Sequence, residues 1–301
     1  MRVKGIIPAL CTPTGREEQV NEASLKRLLD YTIESGCHGV FILSSTGEFY
    51  GISQEEKLRA VKITVDHVNG RVPVMVGAYG VGTREAVGMV EKVQDLGADL
   101  VSVLTPMMIT PNDEEIYQHY RSIAASTDLP VTLYNNPDRT GVNISARTVE
   151  RLAAIPNIVA VKDSSGDLGL MMDYIMRTRE MEFDVLCGRD MLIFANLLHG
   201  GSGSVAATAN VAPALLVDLY DKCMAGDYAG ALADQYRLAP FRLSFGLASW
   251  PAVTKDALNL MGFEVGDPVK PVMGCAGEKL EILRGILTDL GVMPGNVCTK
   301  G

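Results

Sequence analysis

The feature that most limits what this chain can fold into is a rhythm. Eight times a short apolar run ends in a polar or glycine-containing loop, and between the runs lie segments with helical periodicity. The runs fall at 5–10, 39–43, 72–78, 99–104, 131–134, 158–163, 183–186 and 202–205. Strands alternating with helices across short loops call for a parallel sheet with helical crossovers, because parallel neighbours cannot be joined by a tight hairpin. Eight is the count that closes a (β/α)8 barrel. The rival, a doubly wound open sheet, would carry a glycine-rich dinucleotide turn after its first strand. Leu10-Cys11-Thr12-Pro13 is no such turn, and neither a GxGxxG nor a GxxxxGK[ST] sequence occurs.

Local signals support the helices. Asn21 reads as the N-cap of a helix over 21–35 and Gly36 as its stop, while Ser53-Gln54-Glu55-Glu56 has the form of a capping box. Further helices are expected over 83–96, 111–126, 145–154, 167–179 and 190–198. Past about residue 225 the rhythm ends. Helices near 225–240, 251–261 and 277–290, with a Pro- and Gly-rich stretch at 262–274, read as a C-terminal extension. The expected division is a barrel domain over 1–224 and a helical extension over 225–301, together an α/β (β/α)8 TIM barrel with a tail.

Composition excludes several classes of function. The formal net charge is -9 and no basic patch with interleaved aromatics occurs, so nucleic acid and anionic membranes are poor partners. No apolar run approaches the ~18 residues of a membrane span, and the N-terminal run broken by Pro8 is not a signal peptide. The six cysteines (Cys11, Cys37, Cys187, Cys223, Cys275 and Cys298) have no close pairing and read as reduced core thiols of a cytoplasmic protein. His38, His67, His119 and His199 show no metal spacing, so no metal is expected.

The stretch 158–166, IVAVKDSSG, places a lysine at the carboxyl end of a strand buried on both faces. Desolvation there favours the neutral, nucleophilic amine that a Schiff-base lysine needs. A strand-end lysine can equally snorkel to water. Catalysis in a barrel sits at the carboxyl ends of the strands, so those ends decide. They carry Ser44-Ser45-Thr46-Gly47-Glu48, Pro106-Met107-Met108, Tyr134-Asn135-Asn136 with Arg139, Lys162-Asp163, Gly188-Arg189-Asp190 and the glycines around Ser202. Alternation that points Lys162 inward also points Ala160 and Ile158 inward and sends Val159 and Val161 to the helices. On strand five, Thr132 and Tyr134 then face in. An amine and a phenol on neighbouring strands suit carbinolamine chemistry. Each residue has a blander reading. Ser45 and Thr46 could form an ST-turn, Tyr134 could be a satisfied core hydroxyl, Arg139 a solvated charge, Asp163 and Asp190 helix caps, and the glycines of 200–204 a tight turn or a phosphate cradle.

The motifs Ser44-Ser45-Thr46-Gly47-Glu48, LYNNPDRTG at 133–141, VKDSSGD at 161–167 and GSGSVAATANVAP at 201–213 resemble the dihydrodipicolinate synthase / N-acetylneuraminate lyase family over nearly the whole chain. The resemblance implies a pyruvate-dependent class I aldolase, a (β/α)8 barrel that assembles as a homotetramer built from two dimers. No metal or organic cofactor is implied, only a covalent imine on Lys162. It also implies that Tyr134 is the general acid/base, that Ser45 and Thr46 relay protons and hold the pyruvate carboxylate with Gly47 beside them, and that Val205 lines the pyruvate pocket. Arg139 matches the arginine that holds an incoming aldehyde's carboxylate. Gly188, Arg189 and Asp190 match the loop that reads substrate hydroxyls.

One departure bears on the substrate. Synthases of the family carry Thr-Pro-Tyr-Tyr where this chain has Thr105-Pro106-Met107-Met108, and methionine passes no proton. The expected function is therefore a lyase that reversibly cleaves a 2-oxo-3-deoxy sugar acid or a hydroxy-2-oxo acid to pyruvate and an aldehyde. The alternative is 4-hydroxy-tetrahydrodipicolinate synthase, which condenses pyruvate with aspartate semialdehyde. Three further alternatives are a hydratase or dehydratase on the same imine, a non-catalytic binding barrel, and a phosphate-ligand barrel.

Overall fold

A computed structural model describes residues 2–15 and 17–294. Eight parallel strands run β1 Gly5–Pro8, β2 Val40–Ile42, β3 Val74–Gly77, β4 Leu100–Leu104, β5 Val131–Asn135, β6 Ile158–Asp163, β7 Asp184–Cys187 and β8 Gly203–Ala206. Hydrogen-bonded neighbours follow the order β1-β8-β7-β6-β5-β4-β3-β2. The ring closes between β1 and β2 through the parallel bridge of Ala9 to Phe41 and the bond from Leu10 N to Phe41 O. This is the expected (β/α)8 barrel, with helices between its strands.

The caps behave largely as read. Asn21 accepts from Ser24 N ahead of the helix Glu22–Glu34. Ser53 accepts from Glu56 N, but Glu56 does not return the bond; its carboxylate takes Val20 N and Arg59 instead. A complete capping box forms where none was expected, between Asn112 and Glu115 at the start of the helix Asp113–Ala124.

Two apolar layers result. Val101, Val103, Val131, Leu133 and Val161 face the helices, while Ile7, Phe41, Met75, Leu100, Leu104, Tyr134, Leu186 and Val205 fill the barrel. Strict alternation fails at the start of β6. Val131 pairs with Ile158, yet Thr132 pairs with Ala160, so Val159 is an extra residue in a bulge. Ile158 consequently joins the outer layer and Val159 the inner one, the reverse of the simple alternation expectation. The bulge lies below Ala160, so Val161 still packs outward and Tyr134 stands opposite Lys162.

Beyond the barrel helix Pro213–Met224, the extension contributes helices Tyr228–Leu243, Ala252–Leu260 and Glu278–Leu290. Ala231 and Leu238 of the first pack on Ile193, Leu216 and Leu219. Gln235 ties it to the loop after β7, donating to Asp190 O at 2.9 Å and accepting from Phe194 N at 3.1 Å. The thiols of Cys11, Cys37, Cys187 and Cys223 are free and buried, Cys275 is free and half-buried, and Cys298 lies outside the described residues. Among the described residues no helix is long and apolar enough to cross a membrane, and no group of three or more His, Cys, Asp or Glu is placed to hold a metal ion.

Candidate active site

The carboxyl ends of the strands surround one polar cavity. Lys162, Tyr134, Ser45, Thr46, Arg139, Gly188, Arg189, Asp190 and Val205 all line it, so nine of the ten residues expected at the site converge. Gly47 does not line it. A Cβ there would meet Leu10 O at 2.9 Å and Thr12 Oγ1 at 3.1 Å, so the glycine lets the loop after β2 pack against β1. That loop is bracketed by two non-glycine residues in the left-handed region, Leu43 at φ 56° and Glu48 at φ 54°. Such backbone needs an external hold. Here it is a buried ion pair, Glu48 Oε2 to Lys255 Nζ at 2.6 Å, with Val269 N donating to Glu48 Oε1 at 2.7 Å. Lys255 and Val269 both belong to the C-terminal extension.

At the centre, Lys162 is only 3% exposed. Its Nζ lies 4.0 Å from the centre of the Tyr134 ring and 5.1 Å from that of Phe41. The Tyr134 hydroxyl is 3.2 Å from Ser45 Oγ and accepts from Asn136 Nδ2 at 3.0 Å. Burial alone would raise the Tyr134 phenol. The Lys162 charge and hydrogen bonds from Ser45, Lys162 and Asn136 outweigh it and bring the phenol below its ordinary value. A phenol that gives up its proton more readily, beside a buried amine and a hydroxyl, is equipped to shuttle protons.

Gly188 faces this centre because nothing larger fits. A Cβ would stand 2.1 Å from Ser164 Oγ and 3.1 Å from Lys162 Cε. Arg189, expected as a donor at the mouth, is committed elsewhere: Nε donates to Ser164 O at 2.7 Å and Nη2 pairs with Asp138. Asp190 is buried, and one of its oxygens accepts from Thr208 N at 2.8 Å. Asp163 points away from the cavity. Burial pushes its carboxyl up, against hydrogen bonds from Asn135 and Ser165. It acts neither as a helix cap nor as a lining group.

Among the lining residues outside those ten are Asn136, Asp138, Arg242 and Trp250. The first two sit in the loop after β5, where position alone was a usable signal. Arg242 and Trp250 come from the extension, about 80 residues beyond Lys162, and no local pattern marks them.

The chain's similarities agree with this geometry. Residues 2–290 match the Dihydrodipicolinate synthetase family. The chain belongs to that family. It is 36% identical to the 4-hydroxy-tetrahydrodipicolinate synthase of Methanopyrus kandleri over 97% of this chain and 98% of the relative, and 35% identical to that of Pseudomonas aeruginosa over 97% and 99%. Among solved structures, the dihydrodipicolinate synthase of Thermotoga maritima superposes with a TM-score of 0.94 at 32% identity, covering 97% of this chain and all of the other. A monomeric dihydrodipicolinate synthase variant superposes equally well, with a TM-score of 0.94 at 32% identity over 96% and 97%. The family consists of lyases and synthases that make or break carbon–carbon bonds with pyruvate, through a lysine Schiff base and without an external cofactor.

Proposed function

We propose that this chain is a Schiff-base aldolase that reversibly cleaves a hydroxy-2-oxo acid or a 2-oxo-3-deoxy sugar acid to pyruvate and an aldehyde, with Lys162 as the nucleophile. The observation that carries the reading is the buried amine held against a phenol that is itself linked to Ser45 and Asn136. In the condensing direction the Lys162 amine adds to the ketone carbon of pyruvate, and the carbinolamine loses water as Tyr134 returns a proton to the departing oxygen. The Tyr134 phenolate left by that step takes a proton from the pyruvate methyl group, giving an enamine whose carbon attacks the aldehyde. The new alkoxide takes a proton from Tyr134, and water then releases the product and restores the amine. Ser45 and Thr46 serve as relay and carboxylate anchor, Val205 as a wall of the pyruvate pocket, and Arg139 as the cation for the second substrate.

A second reading, 4-hydroxy-tetrahydrodipicolinate synthase, draws support from the names of the relatives and from Arg139 at the mouth. Residues 1–224 act in either reading as the catalytic barrel and 225–301 as the extension, of which Arg242 and Trp250 reach the cavity. A cytoplasmic homotetramer, a dimer of dimers, is the proposed form. Met108 (90% exposed) and Ile109 stand out from the loop after β4 as material for a contact between copies. The test is turnover. Pyruvate with a panel of aldehydes, aspartate semialdehyde among them, should be consumed by the protein and not by Lys162→Met. Efficient condensation with aspartate semialdehyde alone selects the synthase. Equal activity of Lys162→Met refutes both readings.

A further inference from the structure

Asn135 and Asp163 follow Tyr134 and Lys162 on neighbouring strands, Tyr134 standing opposite Lys162 and Asn135 opposite Asp163. Alternation turns the first pair into the barrel and the second towards the helices. Neither Asn135 nor Asp163 lines the cavity, yet both are fully buried. Their neighbours in that outer layer, Leu133 and Val161, are apolar. A carboxylate in such a layer is costly unless its oxygens are bonded. Asn135 Nδ2 donates to Asp163 Oδ1 and Ser165 Oγ to Oδ2, each at 2.7 Å. Among the described residues no cation pairs with Asp163, since Arg189 turns to Asp138. Asn135 is fixed in its turn. Its Nδ2 also donates to Asn143 Oδ1 at 2.7 Å and to the Tyr174 hydroxyl at 3.3 Å, and its Oδ1 accepts from Ile144 N at 3.0 Å. Tyr174, on the helix Leu168–Thr178, donates to Ile144 O and closes the network.

The same two strands are out of step lower down, where the bulge at Val159 shifts their register between Val131 and Thr132. Backbone hydrogen bonds repeat along a ladder and do not choose a register by themselves; side chains do. A slip of one residue above the bulge would turn Lys162 towards the helices. It would also set Asn135 opposite Lys162 or Ser164 and leave the Asp163 carboxylate short of a donor. We propose that Asn135 and Asp163 are positioning residues, whose side-chain bond behind the sheet fixes the β5–β6 register in which Tyr134 and Lys162 meet inside the barrel. The inference goes beyond the Lys162 imine reading and rests on it. Neither residue touches substrate; together they set the separation of phenol and amine. Lys162, Ser45, Asn136 and Tyr79 face that phenol, and the Lys162 charge is the largest influence holding it below its ordinary value, so its titration reports the separation.

Exchange of the pyruvate methyl protons in D2O, followed by NMR, needs the imine and then the phenol, and no second substrate. Asp163→Val and Asn135→Leu should each slow it on the order of a hundred-fold and move the alkaline limb of its pH profile to higher pH. Asp163→Asn keeps an oxygen for Asn135 without the charge, and should recover most of the rate. The double variant should be no slower than the slower single, because the shared bond is lost only once. A merely structural role would lower stability and leave the limb of the folded fraction where it is. Three results overturn the proposal: an unmoved limb in the slowed variants, rates within a few-fold of the parent in both singles, or Asp163→Asn as slow as Asp163→Val. Asp163→Ser, smaller and still polar, replaces Asp163→Val under the same criteria if the latter does not fold. A parent that exchanges no methyl proton and yields no borohydride adduct on Lys162 refutes the imine reading, and the positioning role with it. A parent that forms the adduct, with variants that match it, refutes the positioning role alone.

Discussion

Replacing Lys255 by methionine should unfold the protein at markedly lower denaturant and impair the loop that carries Ser45 and Thr46. Both Lys255 and Glu48 are fully buried, 2.6 Å apart, in a region where water cannot take over the role of the missing partner. Lys255 also donates to Thr14 Oγ1 and to Asp267 O, each at 3.0 Å. Removing one member of a buried pair leaves the other charge uncompensated, at about 3–5 kcal/mol. The two further hydrogen bonds fall within that range, at about 1 kcal/mol each. The remaining bond from Val269 N to Glu48 offsets part of it, so the lower half, about 3 kcal/mol, is expected. Urea unfolding at one fixed protein concentration measures it, because assembly would otherwise shift the midpoint. Lys255→Met with Glu48→Gln should recover at least half the loss, since the stranded charge is then gone. In the folded fraction, kcat should fall in Lys255→Met, because Glu48 holds a left-handed backbone turn three residues from Ser45. A single variant within about 1 kcal/mol of the parent would refute the reasoning, as would a double variant no more stable than the single.

Four further outcomes are expected. Tyr134→Phe should lower kcat by about 10²–10⁴ while Lys162 still forms its pyruvate adduct. Because the Tyr134 phenol sits below its ordinary value, activity should fall on the alkaline side before a free phenol would titrate, and Ser45→Ala, which removes a bond that lowers it, should move that limb to higher pH in a kcat profile. Gly188→Ala puts a Cβ into contact with Ser164 Oγ and Lys162 Cε, so adduct formation, followed by mass spectrometry, should slow on the order of a hundred-fold. Burial brings the His119 ring down to about 4 from 6.5, with a backbone bond at Leu104 opposing it. The unfolded chain therefore binds the proton first, and stability complete above about pH 6.5 should decline as pH falls towards 4, by up to about 3 kcal/mol. His119→Gln should flatten that part of the stability profile relative to the parent.

The barrel was legible in the sequence because its signals are local. Each strand is a short apolar run, and stops such as Gly36 and caps such as Asn21 and Ser53 act within one turn of helix. The position of Lys162 and Tyr134 at strand ends followed from the same pattern. What escaped depends on register or on distance along the chain. The bulge at Val159 leaves no mark in a run of alternating valine and alanine, and only pairing with Thr132 reveals that one residue is extra. Glu56 had the right spacing for a capping box but found a better donor in Val20, on another element. Arg189 was a plausible free donor until the fold brought Asp138 to it. The contributions of the extension, Arg242 and Trp250 at the cavity and Lys255 beneath the loop after β2, are tertiary facts with no periodicity of their own.

The central claim is that Lys162 is the amine that captures pyruvate, and the most direct measurement is reductive trapping. The protein is incubated with pyruvate, treated with borohydride, digested and mapped by mass spectrometry. One adduct with the mass of a reduced pyruvate imine is expected, on the peptide that contains Lys162, and none in Lys162→Met. An adduct on another lysine, or the same adduct in Lys162→Met, would contradict the account.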